Sequence, residues 1–102
     1  MTTLSTHVLD AVAGRPASGV GVTLDDGAAT GRTDDDGRLR FDDDLAAGPH
    51  RLTFATGEWF AAAGRDTFYP EVTVVFAVDA DLPHVHVPLL LSPFAYSTYR
   101  GS

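Results

Sequence analysis

The feature that most constrains this chain is a series of short segments in which apolar and polar residues alternate, separated by turn signals. In the clearest segment, residues 84–92 (HVHVPLLLS), alternation puts both valines and two of the three leucines on one face and both histidines on the other. Period-two alternation is typical of a β-strand with one buried face. A Ser-Pro break at residues 92–93 ends this segment, and Asp-Gly turns at residues 25–27 and 34–37 end two others. The pattern therefore predicts an all-β fold.

About eight such strands and one short helix account for the chain, whose 102 residues suit a single domain. The predicted strands are residues 4–12, 19–24, 28–33, 38–41, 50–56, 71–79, 84–92 and 94–101. The segment TGEWFAAAGR is the predicted helix, with Thr56 as its N-cap and Gly64 at its end. Many short strands with regularly spaced turns are typical of a two-sheet β-sandwich. We predict that architecture for one domain, residues 1–102.

The charge composition excludes one class of partner and favours another. The net charge at pH 7 is −7, and the chain has seven arginines and no lysine. An acidic chain is not built to bind nucleic acid through its phosphates, whereas the arginine fork suits a planar anion. No apolar run approaches the roughly 20 residues of a membrane span, and no signal peptide is recognised. We expect no nucleic-acid or membrane partner, and a cytoplasmic location.

Four polar residues fall on the less apolar face or at the tip of a predicted strand. These candidate site residues are His7, Arg38, His86 and Tyr99. Taken singly, each has an ordinary structural explanation, because strand histidines are commonly hydrogen-bonded and an arginine beside a turn is commonly a surface charge. They are far apart in the sequence, so only the fold can group them. From the residues alone, a shared role is left open.

A metal site and a serine nucleophile are both poorly supported. His84 and His86 share a strand face and His7 is a conceivable third ligand, but the chain has no cysteine and no other histidine lies near them. None of the serines lies in the Gly-x-Ser-x-Gly elbow of α/β-hydrolases. We therefore expect no metal and no cofactor.

Four motifs carry a resemblance to a known family. They are LSTHVLD near the start, TDDDGR in the middle, FYPEV before the sixth strand and HVHVPLLLSPFAYSTYRGS at the end. Together they make the chain similar to the transthyretin-like family from Leu4 to Ser102. The closing YRGS is the most specific motif, because it separates the 5-hydroxyisourate hydrolase branch of that family from the hormone-carrying transthyretins.

The resemblance implies a fold, an assembly and a set of functional residues. The implied fold is an eight-stranded sandwich with one short helix, and the implied assembly is a homotetramer, a dimer of dimers, with active sites at the dimer–dimer interface. The family's functional residues fall on His7, Arg38, His86 and Tyr99 of this sequence, with Ser102 as a nearby substrate-binding residue. The implied reaction converts 5-hydroxyisourate, a small purine-derived molecule, to 2-oxo-4-hydroxy-4-carboxy-5-ureidoimidazoline on the urate-to-allantoin route.

Hydrolysis of this cyclic amide needs a base for water, stabilisation of the oxyanion and an acid for the leaving nitrogen. Imidazole titrates near about pH 6.5, so His7 and His86 are the expected acid–base pair, in either order. Arg38 is expected to clamp the substrate and Tyr99 to position it. No metal is needed. The main alternative is a non-catalytic transthyretin-like module that binds a small ligand, and the second is a purely structural β-sandwich.

Overall fold

The computed structural model describes all 102 residues, Met1–Ser102, and contains nine strands and one helix. The strands in chain order are β1 (Thr3–Asp10), β2 (Arg15–Pro16), β3 (Gly21–Leu24), β4 (Ala29–Arg32), β5 (Arg38–Phe41), β6 (Gly48–Phe54), β7 (Val72–Val78), β8 (His84–Ser92) and β9 (Ala95–Thr98). The helix, α1 (Thr56–Ala62), joins β6 to β7. It falls short of the length and apolar character that crossing a membrane requires. The predicted all-β class is confirmed.

The strands form two sheets. The first has the order β2–β1–β8–β9. On the side of β1 away from β8, residues 4–7 pair with β5 and residues 9–10 pair with β2. The second has the order β4–β3–β6–β7. Every pairing is antiparallel except that of β1 with β8, which is parallel. As a result β1 lies between β5 and β8, and residues from the beginning, middle and end of the chain meet on one surface.

The core lies between the sheets and follows the predicted alternation. Sixteen buried apolar residues form one cluster. In β8 the buried inward-facing residues are Val87, Leu89 and Leu91, and in β7 the strand begins and ends with buried Val72 and Val78. Burying a side chain of this size stabilises the fold by about 1.5–3 kcal/mol relative to leaving it exposed. The opposite face of the first sheet is therefore free to carry polar groups.

A buried ion pair ties the turn after β1 to the segment after α1. The Asp10 side chain is almost completely buried, and its Oδ2 accepts a hydrogen bond of 2.7 Å from Arg65. Its Oδ1 accepts the backbone N–H groups of Val12 and Ala13. Burial opposes ionisation of Asp10, but these hydrogen bonds and the arginine charge outweigh it and lower the pKa of the carboxyl group.

Most strand ends differ from the prediction by one to three residues, and two of these differences have a local consequence. The first strand stops at Asp10 rather than residue 12, because the Asp10 carboxylate binds the next backbone N–H groups and turns the chain into the two-residue β2. β2 is the additional strand that brings the total to nine, where about eight were expected. The last strand was predicted to span residues 94–101, but β9 ends at Thr98. Tyr99 consequently lies just beyond the last strand.

The helix begins differently from the prediction, which made Thr56 the N-cap. The N-cap is Ala55, and no side chain caps this end. Thr56 is instead the first helical residue, fully buried, with its hydroxyl 3.5 Å from the backbone oxygen of Tyr69. Tertiary contact has therefore overridden the local preference of threonine for a cap. The end of the helix agrees with the prediction, since Gly64 adopts a φ of +67° just after the C-cap Ala63.

Candidate active site

The outer face of the first sheet brings together three of the predicted site residues. In the antiparallel register of β1 with β5, His7 lies opposite Arg38. In the parallel register of β1 with β8, Ser5 lies opposite His86. Because side chains alternate along a strand, Ser5 and His7 share the outer face. His7, Arg38 and His86 therefore occupy neighbouring positions across three strands, although 31 and 48 residues separate them in sequence (38 − 7 and 86 − 38).

A continuous chain of hydrogen bonds runs along this face and ends at His86. The Thr3 hydroxyl lies 2.6 Å from Nδ1 of His84. Nε2 of His84 lies 2.7 Å from the Ser5 hydroxyl, which in turn lies 2.8 Å from Nδ1 of His86. Nε2 of His86 has no hydrogen-bond partner in the protein and remains available to a ligand. Both ring nitrogens of His84 are already occupied, which leaves this residue unsuited to metal binding without rearrangement.

The surroundings of His86 favour its neutral form. Burial is the main cause that lowers the pKa of its imidazole, and the positive charge of Arg38 and the neighbouring His7 and His84 add to the effect. The partly buried ring is therefore uncharged at neutral pH, with one nitrogen able to accept a proton. This is the state that a general base requires.

His7 is oriented by the turn between β4 and β5. Its Nε2 lies 2.9 Å from the backbone oxygen of Asp36. A carbonyl oxygen can only accept, so Nε2 must donate a proton and Nδ1 is left facing other partners. Gly37 makes the turn possible, because its φ is +75° and a Cβ there would collide with the backbone oxygen of Val8. The aspartate-glycine turn identified in the sequence therefore positions the His7 ring.

Arg38 differs from its neighbouring arginines in having no partner for its guanidinium. Arg40 donates to Asp42 at 2.9 Å, and Arg32 donates to the backbone oxygen of Gly19 at 3.2 Å. The Arg38 side chain makes no hydrogen bond or ion pair in the chain. It lines a groove of about 330 Å³ together with Ser5 and His86. Its five donors are thus free to bind an anion beside the neutral His86.

Tyr99 and Ser102 lie on the other side of His86. They line a larger groove, about 590 Å³, whose walls include His84 and His86 but not Arg38. The backbone N–H of Gly101 donates to the His86 carbonyl oxygen at 2.9 Å. A Cβ at Gly101 would collide with Cδ2 of the His86 imidazole, so only glycine allows the closing segment to lie against that ring. His86 is therefore the residue that the two grooves share.

Two residues of this face, Ser5 and His84, were not predicted as site residues from the sequence. Ser5 was not a candidate, and His84 was considered only as a metal ligand, but both belong to the hydrogen-bonded chain that ends at His86. The alternation that paired His84 with His86 was the available signal for His84, and the same alternation, which puts residues 5 and 7 on one strand face, was the signal for Ser5. No three histidine, aspartate or glutamate side chains converge in a way that could hold a metal ion.

Comparison with known proteins shows the family of the whole chain. A model of the HIUase/Transthyretin family matches residues 4–101. The chain is 48% identical to 5-hydroxyisourate hydrolase of Caulobacter vibrioides, with both chains covered completely. It superimposes on a Klebsiella pneumoniae 5-hydroxyisourate hydrolase structure with a TM-score of 0.92 at 41% identity, covering 100% of both chains. The structure of sea bream transthyretin in complex with thyroxine superimposes with a TM-score of 0.86 at 33% identity, covering 96% of this chain and 93% of the transthyretin chain. The chain belongs to the HIUase/Transthyretin family.

Proposed function

We propose that this protein is a 5-hydroxyisourate hydrolase, which opens the substrate ring to 2-oxo-4-hydroxy-4-carboxy-5-ureidoimidazoline in urate degradation. The observation that carries the proposal is the neutral His86 beside the unpartnered Arg38 on one sheet face. Similarity to hydrolases of this name along the whole chain supplies the substrate. A neutral base next to a free guanidinium suits an electron-rich, planar molecule that must be attacked by water.

His86 is the proposed general base. Its Nδ1 is held by the Ser5 hydroxyl, so the ring presents Nε2 to the water that attacks the substrate carbonyl. Its lowered pKa keeps the lone pair available at neutral pH. A positioned general base typically accelerates such a step by about 10²–10⁴-fold. The proposal therefore makes His86 the base and leaves the acid role to His7, a choice that the sequence left open.

His7 is the proposed acid or carbonyl-polarising group. Its Nε2 is committed to the Asp36 backbone oxygen, so protonation would place the second N–H on Nδ1. That N–H can stabilise the developing oxyanion or protonate the leaving nitrogen as the C–N bond breaks. The two histidines then divide the work because one is engaged through Nδ1 and the other through Nε2.

Arg38 and Tyr99 are proposed to hold the substrate from opposite sides of His86. The Arg38 fork binds the planar anion, and this local positive charge offsets the net charge of −7 that would otherwise repel it. Tyr99 and Ser102, which line the larger groove, contribute hydroxyl groups that position the ring or the water. The proposal uses no metal and no cofactor.

The proposed assembly is a homotetramer, a dimer of dimers, with active sites at the dimer–dimer interface. β7 and β9 each form one edge of their sheet, and an unpaired edge is a template for pairing with a second copy. Exposed Val75, Phe94 and Tyr96 lie on or beside these edges. We expect light scattering at micromolar concentration to give the mass of four chains, and a monomer would contradict the assembly. We propose the cytoplasm as the location, which a cysteine-free chain suits.

The direct test is the decay of 5-hydroxyisourate generated in place by urate oxidase. We expect this protein to accelerate the decay and to yield one stereoisomer of the product. A tetramer that leaves the decay rate unchanged would exclude the hydrolase. That result would favour the second candidate, a non-catalytic module that binds a small aromatic ligand, for which the similarity to a thyroxine-binding transthyretin is the supporting observation. Calorimetric titration with aromatic ligands would then be the next measurement.

A further inference from the structure

The position of the Ser5 hydroxyl couples two histidines that are not covalent neighbours. Its oxygen lies 2.7 Å from Nε2 of His84 and 2.8 Å from Nδ1 of His86. A hydroxyl has one proton, so it can donate to only one of these nitrogens and is satisfied when it accepts from the other. If His86 has its proton on Nδ1, then His84 must offer a lone pair at Nε2, and the reverse also holds. The tautomers of the two rings are therefore linked through Ser5.

We propose that Thr3, His84, Ser5 and His86 form a proton relay in which Ser5 passes a proton between the two imidazoles and His84 stores the positive charge. Ser5 and His84 are then positioning residues, because they act on the reaction only through His86. The inference deepens the proposed hydrolase function and rests on it for its catalytic meaning. The hydrogen-bond pattern itself is independent of any substrate.

The proton balance of the relay is simple. Before reaction, His86 has a proton on Nδ1 and a bare Nε2, and the Ser5 proton points to Nε2 of His84. When Nε2 of His86 takes a proton from the attacking water, Nδ1 gives its proton to the Ser5 oxygen and Ser5 gives its own proton to His84. His86 ends neutral with a proton on Nε2, Ser5 is unchanged, and His84 is an imidazolium. The reverse sequence lets Nε2 of His86 protonate the leaving nitrogen, in which case His7 acts as the carbonyl-polarising group.

The surroundings of His86 give the positive charge a reason to leave that ring. His86 lies near the positive Arg38 of β5 and near His7 of β1, and both disfavour an imidazolium at that position. His84 lies two residues before His86 on the same face of β8, and the Thr3 hydroxyl, 2.6 Å from its Nδ1, accepts the Nδ1–H of this ring both before and after the transfer. The Thr3 proton then points to the Pro83 carbonyl oxygen at 3.5 Å. Thr3 is buried, so water does not compete at this end of the relay.

Nitrogen NMR of protein labelled at histidine tests the linkage without substrate. The ring-nitrogen shifts report which nitrogen of each histidine has a proton. In the wild type we expect opposite protonation at the two atoms that face Ser5, Nε2 of His84 and Nδ1 of His86. In Ser5→Ala the two rings should titrate independently, and the tautomer ratio of His86 should change. Unchanged His84 and His86 nitrogen shifts in Ser5→Ala would overturn the relay.

Kinetics test whether the relay serves the reaction. We expect Ser5→Ala to lower kcat about tenfold with KM changed less than twofold, and Ser5→Thr, which keeps the hydroxyl, to restore most of the loss. Thr53→Val is the matched control, because it removes a strand hydroxyl from the outer face of the second sheet, and it should leave kcat unchanged. The solvent-isotope dependence of kcat should indicate more than one proton in motion in the wild type and a single proton in Ser5→Ala.

The outcomes separate the relay from the hydrolase function. Wild-type kcat in Ser5→Ala, with intact turnover of 5-hydroxyisourate, would overturn the catalytic role of the relay while leaving the hydrolase standing. No turnover by the wild type would reject the hydrolase, and the nitrogen shifts would still decide the linkage. If His84→Phe, which removes both ring nitrogens, lowers kcat as much as Ser5→Ala does, the two residues act through one pathway. A full kcat in His84→Phe would contradict charge storage there.

Discussion

His86 and His50 are both partly buried histidines on strands, but their surroundings drive them to opposite protonation states. Nδ1 of His50 lies 2.6 Å from the Asp25 carboxylate and Nε2 lies 2.7 Å from the backbone oxygen of Ala46. Both partners are acceptors, so the ring is satisfied only when both nitrogens have protons. The hydrogen bond to Asp25 is the main cause that raises the pKa of His50. The hydrogen-bond partner of His86 is a hydroxyl, and the positive charge of Arg38 acts on its ring.

The difference teaches that the partner, rather than burial alone, separates a structural histidine from a reactive one. Burial opposes a charged ring at both sites, but only at His50 does a carboxylate overcome it. His50 closes the turn after β3, where Asp25 and Asp26 adopt φ angles of 48° and 58° and Asp25 also accepts the Arg51 backbone N–H. An imidazolium locked in this way cannot exchange protons readily. His86 keeps a free nitrogen and a neutral ring, as a base requires.

Replacing each histidine by asparagine should give the largest contrast. Asparagine reproduces the Nδ1 position, so His86→Asn keeps a partner for Ser5 but loses the nitrogen that faces the ligand. We expect kcat/KM to fall by about 10²–10⁴-fold with little change in the free energy of unfolding. His50→Asn is the matched control and should keep its activity. Near wild-type turnover in His86→Asn would contradict the proposal that His86 is the general base.

Removing the charge of Arg38 should make His86 more like His50. We expect Arg38→Gln to lower kcat/KM by about 10–100-fold through loss of the anion clamp. It should also move the acid limb of the pH–rate profile to higher pH, because one of the charges that lower the His86 pKa is gone. Arg40→Gln is the control, since its side chain is exposed and already paired with Asp42. An acid limb at the same pH in Arg38→Gln would contradict the electrostatic account.

The pH dependence of the free energy of unfolding should have opposite signs at His50 and at His86. The His50 pKa is raised, so its ion pair stabilises fully below the ordinary value of 6.5 and is lost as pH rises through the folded pKa. The Asp25 pKa is lowered, so its part is present above 3.8 and is lost as pH falls through the folded pKa. We expect His50→Asn to cost about 1–2 kcal/mol between these pH values and less at pH 9, measured by urea unfolding. An equal cost at both pH values would rule out the charged pair.

Acid should destabilise the fold at His86, because the folded ring resists protonation. Its pKa is lowered, so the folded protein binds fewer protons than the unfolded chain as pH falls below 6.5. The wild type should consequently lose stability in that range relative to His86→Asn. A stability difference that stays constant from pH 7.5 to pH 5 would argue against a neutral His86.

The smallest expected effect is that of the Tyr99 hydroxyl. Tyr99 is 57% exposed and lines the groove on the far side of His86 from Arg38. We expect Tyr99→Phe to raise KM a few-fold with little change in kcat, because only a substrate contact is lost. Tyr96→Phe is the control: its ring packs edge-on against Tyr69, away from His86. Equal effects of the two substitutions would remove Tyr99 from the site.

The strand alternation was predictable from the sequence, whereas the grouping of the site residues was not. The inward face of β8 follows directly from period-two hydropathy, and the glycine turn before Arg38 follows from local turn chemistry. The approach of His7, Arg38 and His86 depends on strand register and on a parallel pairing of β1 with β8. No local pattern encodes these. The family resemblance named the three residues, whereas the contact of Ser5 with His86 depends on the same distant pairing of β1 with β8.

The parallel pairing of β1 with β8 has a consequence for how the protein is made. Hydrogen bonds that build the relay join residues 79 to 81 positions apart. During synthesis, β1 therefore leaves the ribosome long before its partner exists, and its unpaired edge is exposed in the meantime. Folds dominated by such distant contacts form slowly, because a long loop must close before the contact stabilises it. The catalytic surface is thus assembled late in folding, and nascent chains that end before residue 84 should be inactive and prone to aggregate.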